Sequence, residues 1–177
     1  MSLIGKLFGG SRPPASEIYL KLRTNALSAA SDRDRPPDPD APILVVLMEM
    51  GMSDAVATFA CFRDGTASLY LWTGGGVIGG GEHESVRTAC HEMMSLTNKY
   101  AHDFMAACNR VSAFPFPAEG EVFFYLVTRE GVYQARCRED ALEEQRDPFS
   151  ALFNNCHAVM SEVRKIDEQR SQLPRDN

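Results

Sequence analysis

Apolar and polar positions alternate along the chain in a way that divides it into eight predicted elements. In residues 16–30, SEIYLKLRTNALSAA, the spacing of Ile18, Leu22, Ala26 and Ala29 predicts a helix buried on that side, with Ser16 as its cap. Residues 31–42, SDRDRPPDPDAP, hold four prolines among mixed charges and read as a loop or linker. The continuous apolar run ILVVLMEM, residues 43–50, predicts a central strand buried on both faces. GMSD turns it into AVATFACF, residues 55–62, and Arg63-Asp64-Gly65 turns that into TASLYLW, residues 66–72. Asp-Gly between two strand-like runs is a hairpin signal, with Gly65 at the position that needs φ > 0.

A long helix is predicted next. Val86, Cys90, Met93, Thr97, Tyr100 or Ala101, Phe104 and Cys108 recur at steps of three and four, within about 100° of arc. FPFPAEG, residues 114–120, breaks the chain. EVFFYLVT and VYQARCR then flank Arg129-Glu130-Gly131 as a second hairpin. Asp147-Pro148 supplies a cap and a first-turn proline to a last helix whose stripe is Phe149, Leu152, Cys156, Val159, Val163 and Ile166. The two hairpin turns echo one another, as turn chemistry alone produces.

The predicted order is α-β-β-β-α-β-β-α. It implies an α+β fold with an antiparallel sheet of about five strands and two or three packed helices covering its apolar faces. One domain over residues 16–170 is expected, with flexible ends at 1–15 and 171–177 and the Pro-rich loop at 31–42. This order resembles the profilin-like and roadblock (dynein light chain) group in architecture, without a matching motif. The block DGTASLYLWTGGGVIGGGEHESV resembles one found in small bacterial proteins of unknown function. That resemblance implies a bacterial cytosolic protein and no particular activity.

Composition narrows the function classes. The net charge of −6, without a run of Lys and Arg, argues against a duplex nucleic-acid binder. Five cysteines, an odd number with no close pair, read as reduced thiols of a cytosolic protein. The opening MSLIGKLFGG lacks the h-region and cleavage site of a signal peptide, and reads as a frayed end or a weak membrane-surface anchor. No apolar run reaches the roughly 18 residues of a membrane span. No spacing marks a metal site: His83-Glu84 and His91-Glu92 miss the HExxH pattern, and Glu84, His91, Ser95 and His102 share the polar side of their helix. Cys90-His91 and Cys156-His157 cannot be dyads, since neighbours on a helix point about 100° apart. Trp72, Phe114, Phe116 and Tyr133 fit an aromatic surface or the core equally well.

The one candidate site is the glycine stretch, six glycines in residues 74–81. In a strand or helix interior they would cost about 3–6 kcal/mol, a large share of the roughly 5–15 kcal/mol that holds a domain together. Such a stretch serves either special backbone geometry or a ligand. The ligand candidates are Thr73, Gly74, Gly75, Gly76, Gly79, Gly80, Gly81, His83 and Ser85, an anion nest ahead of a helix. Against a phosphate stand the missing Walker A lysine, the GGGxxGGG pattern in place of GxGxxG, and Glu82 and Glu84 at the helix start. Three readings follow: a non-enzymatic binding or scaffold protein with a protein partner or self-association; a small-molecule, anion or nucleotide binder (or enzyme) using the glycine loop; and a membrane-surface adaptor. None requires a metal or cofactor.

Overall fold

A computed structural model describes residues 12–28, 38–78 and 80–172. The expectations for residues 1–11, Ala29, most of the Pro-rich loop, Gly79 and residues 173–177 lie outside the described residues. The fold is α+β, as expected. In chain order it runs α1 (Glu17–Leu27), β1 (Ile43–Gly51), β2 (Val56–Phe62), β3 (Ala67–Leu71), β4 (Gly76–Val77), α2 (Glu84–Lys99), α3 (Ala101–Ala106), β5 (Asn109–Val111), β6 (Glu121–Thr128), β7 (Gly131–Arg138), α4 (Glu139–Glu143) and α5 (Ser150–Gln172). One antiparallel sheet has the strand order β4-β3-β2-β1-β6-β7-β5.

Among the described residues, the expected count of about five strands and two or three helices is corrected to seven strands and five α-helices. The added strands, β4 and β5, hold two and three residues and form the two sheet edges. Segments that short carry no period for a pattern to show. The long helix is also broken. Tyr100 leaves helical geometry at φ −109° and ψ 22°, its N–H bonds Leu96 and Asn98 carbonyls, and α3 starts afresh after it. Cys108 lies beyond α3, just before β5.

Both faces of the sheet are covered, which is why β1 is continuously apolar. Alternate residues of β1 enter two cores. Val46 and Met48 join Phe59, Phe124 and Leu126 beneath α2 and α5. The α2 stripe Val86, Cys90, Met93 and Thr97 is buried there, as is the whole predicted α5 stripe. Val45 and Leu47 face the other way, with Tyr70, Trp72, Phe123 and Tyr125, beneath α1 and the 114–117 strap. Both expected hairpins form antiparallel pairs, and Gly65 takes φ +90° in the first turn. Asp147 caps α5 through its carboxylate, which accepts from the Phe149 N–H at 2.8 Å.

The buried side of α1 differs from the predicted one. Tyr19, Arg23, Ala26 and Leu27 face the sheet, Leu22 is half-buried and Ile18 is 51% exposed. The physical reason is Glu49. It points into the α1 side of the sheet with 0% exposure, and Arg23 folds inward to meet it. The helix turns its arginine, rather than its isoleucine, to the core.

Candidate functional site

The glycine stretch begins as β3 ends. The Leu71 N–H donates to the Gly75 carbonyl at 2.9 Å and the Gly74 N–H to the Leu71 carbonyl at 2.8 Å, closing a tight turn into β4. Gly74 and Gly76 hold φ +96° and +138°, where side chains are disfavoured. At Gly76 the need is also steric, because a Cβ there would lie 2.0 Å from the Leu69 carbonyl oxygen. After β4 the chain runs back along β3. Gly80 is buried near Val86 and Ala67, Gly81 lies against Thr66, and a short 3-10 turn at Gly80–Glu82 leads into α2.

The candidate residues therefore fall into two groups. Thr73, Gly74, Gly75 and Gly76 form the hairpin tip, close to Ser16 and Ile18 of the α1 start. Gly80, Gly81, His83 and Ser85 lie by Thr66, at the opposite end of β3. That strand is five residues long, so roughly 16 Å separates them. The His83 N–H is taken by the Gly80 carbonyl at 3.0 Å, and the Ser85 hydroxyl bonds the Glu162 carboxylate on α5. His83 occupies the α2 N-cap without a capping side-chain bond. Gly79 is outside the described residues.

Around the tip the surface is apolar. Ile18 and Leu71 are 51% and 40% exposed there, and Ile78, 53% exposed, follows β4 farther along the edge. Ile18 adjoins Gly74, and Leu71 adjoins Gly75. Beneath them Trp72 is buried, donating from Nε1 to the Pro13 carbonyl at 2.8 Å, with the Tyr19 and Phe116 rings at 5.4 and 4.8 Å. Arg12 lies over the Trp72 ring at 5.2 Å and donates to the Met52 and Pro117 carbonyls. Of the four aromatic candidates, Trp72, Phe114 and Phe116 thus build the α1-side core, while Tyr133 packs half-buried on the other.

A second feature escaped the sequence reading: a polar layer inside the α1-side core. Arg23 grips Glu49 through two bonds, Nε to Oε1 at 2.6 Å and a terminal nitrogen to Oε2 at 2.9 Å, and also reaches the Pro115 carbonyl. Thr58 donates to Glu49 at 3.2 Å and accepts from the Tyr19 hydroxyl at 2.7 Å. The Tyr125 hydroxyl donates to the Pro115 carbonyl and accepts from Gln134. The guanidinium of Arg23 stacks 4.2 Å over Phe116. Burial drives the Tyr125 hydroxyl up to about 12, with the Glu49 charge adding to it, and raises Tyr19 in the same way. Burial alone would lower the Arg23 guanidinium, but its bond to Glu49 and the carboxylate charge outweigh that and raise it. Tyr19, Tyr125 and Arg23 stay protonated at neutral pH, and the network pins α1 and the 114–117 strap to the sheet.

A third feature is concave. Residues 38–42, the α2–α3 corner and the β6–β7 turn enclose a cleft of about 1240 Å³. Its walls are tied in place. Arg63 bridges Asp38 at 2.7 Å and donates to the Ala41 carbonyl, and Asn98 both accepts from the Ile43 N–H and donates to the Ile43 carbonyl. A smaller recess of about 540 Å³ adjoins it, lined by His91, Ser95 and Lys99 of α2. Part of the polar α2 side thus borders a hollow. No motif could mark it, because four separated segments contribute.

Comparison with known proteins finds no matching family model, curated protein or solved structure. Among the described residues no group of His, Cys, Asp and Glu is arranged to hold a metal ion, and no helix is long and apolar enough to cross a membrane.

Proposed function

We propose that the chain is a non-enzymatic binding or scaffold domain that meets a protein partner, or a second copy of itself, through the β3–β4 hairpin and the adjoining start of α1. The observations that carry this reading are Ile18 and Leu71, 51% and 40% exposed beside Gly74 and Gly75 at the hairpin tip, and Ile78, 53% exposed directly after the two-residue edge strand. Single exposed apolar residues are ordinary, but several along one sheet edge and its adjoining helix start favour an interaction surface. The hairpin amides of Leu71 and Gly74 bond the chain itself, which favours a shaped protein surface over an anion nest. To this reading belong a cytosolic location, implied by the resemblance of the glycine block, and a profilin-like or roadblock-like role, which the element order predicted from the sequence resembles.

Sedimentation of the full chain over a range of concentrations tests this, with Ile78→Asp as the comparison. The expected result is a dimer, or a co-purifying partner, that the aspartate removes while the circular dichroism stays unchanged. The opposing reading, a ligand loop, predicts saturable quenching of Trp72 fluorescence by phosphate or ATP. Trp72 sits two residues from Gly74 and reports on the turn. Such quenching, abolished by Gly80→Ala, would replace the proposal.

A further inference from the structure

The hairpin tip stands beside the point where the described chain begins. Arg12 lies over the Trp72 ring and donates to the Met52 carbonyl, the Pro13 carbonyl accepts from Trp72, and the Ser16 N–H donates to the Trp72 carbonyl at 3.0 Å. Ser16 also adjoins Gly74. Ser16 is four residues on from Arg12, so at roughly 3.3–3.6 Å per residue the tip lies within about 20 Å of Arg12. Ahead of Arg12 the sequence reads MSLIGKLFGGS, outside the described residues. Leu3, Ile4, Leu7 and Phe8 are four large apolar residues among six, and the glycines that follow, Gly9 and Gly10, accept any direction of the chain. Counted back from Arg12, the same rise carries Phe8 up to about 14 Å and Leu3 up to about 30 Å, a span that takes in the exposed Ile18 and Leu71.

We propose that residues 3–8 are an intramolecular ligand of the hairpin tip, with Leu7 and Phe8 covering Ile18 and Leu71 and competing with any chain that arrives from solution. A tether this short sets a local concentration of millimolar order, far above that of a second copy or a foreign partner, so a modest apolar contact is enough. Lys6 is the one cation before Arg12 and the whole chain carries −6, which disfavours an anionic lipid surface as the alternative occupant. What the cover regulates rests on the partner reading above; the docking itself does not.

The test uses the full chain, isotope-labelled for amide NMR, with Cys108→Ser to remove the half-buried thiol and a nitroxide placed on Ser2→Cys. Broadening at Leu71, Gly74 and Gly75, far from the label in sequence, is expected, and it should fall at least threefold (on the order of half a logarithm in docking strength) when Leu7→Asp and Phe8→Asp are added. Both positions lie outside the described core, so the rest of the spectrum stays in place. Sedimentation of the unlabelled double-aspartate chain should show the dimer or partner complex about tenfold tighter than in the parent. Broadening confined to residues 12–16, broadening that survives the aspartates, or broadening that appears only between separately labelled chains would each overturn the proposal. Tip broadening lost with the aspartates while no dimer or partner forms would keep the docking and fail the partner reading. A dimer that the aspartates leave unchanged, without tip broadening, would do the reverse.

Discussion

Replacing Arg23 by methionine isolates the effect of the buried ion pair. The Glu49 carboxylate has no exposure, and the arginine side chain keeps 9% of its own. Methionine keeps an apolar side chain of similar length but removes the guanidinium over Phe116, and leaves the carboxylate with the Thr58 hydroxyl as its remaining partner. Breaking one side of such a pair costs about 3–5 kcal/mol, because the orphaned charge stays desolvated. At about 2–4 °C per kcal/mol for a chain of this size, the thermal midpoint should fall by about 6–20 °C. Removing both charges, as in Arg23→Met with Glu49→Leu, should return the stability to within about 1 kcal/mol of the parent or raise it. Urea unfolding of the four members of this cycle, followed by Trp72 fluorescence and circular dichroism, measures the coupling. Trp72 touches Tyr19 on the same helix, so its signal also reports α1 docking. A single replacement costing less than about 1 kcal/mol, or a double equal to the sum of the singles, would refute a desolvated pair and the account of why α1 turns its arginine inward.

Three further outcomes follow from the geometry. Gly76→Ala should destabilise by about 1–3 kcal/mol in urea unfolding, since its Cβ would collide with the Leu69 carbonyl at φ +138°, whereas Gly75→Ala, with only Leu71 Cδ1 at 3.9 Å, should be near neutral. With a thiol reagent at neutral pH, Cys108, half-buried and pushed up to about 12 by burial, should react first and slowly; Cys61, Cys90 and Cys156 should react only on unfolding. Burial, then the Arg164 charge, lowers the folded-state pKa of His157, so its neutral form is favoured in the fold; stability should be full above the unfolded value of about 6.5 and decline as pH falls from there toward the lower folded value. In His157→Gln that part of the acid slope should vanish; an unchanged slope in urea midpoints between neutral and mildly acidic pH would count against it.

How much of this was legible in the sequence depends on how local the cause was. The β1-β2-β3 meander, the turn at Gly65 and the α5 stripe follow from periodicity and turn chemistry within a few residues, and the structure has them all. The α1 side was misread because Arg23 looks polar, and only the distant Glu49 makes its burial favourable. Tyr100 carries no breaking signal, so the interruption between α2 and α3 was invisible. The glycine stretch was legible as special backbone, but its division into a hairpin tip and an α2 entry depends on β4, a strand of two residues. The cleft depends on residues from four segments meeting in space.

The place of β1 in the sheet has a consequence for synthesis on the ribosome. Its two neighbours are β2, which follows at once, and β6, which is made much later. Until Glu121–Thr128 emerges, the nascent chain holds an apolar strand with one row of amides and carbonyls open. Such an unpaired edge recruits other chains.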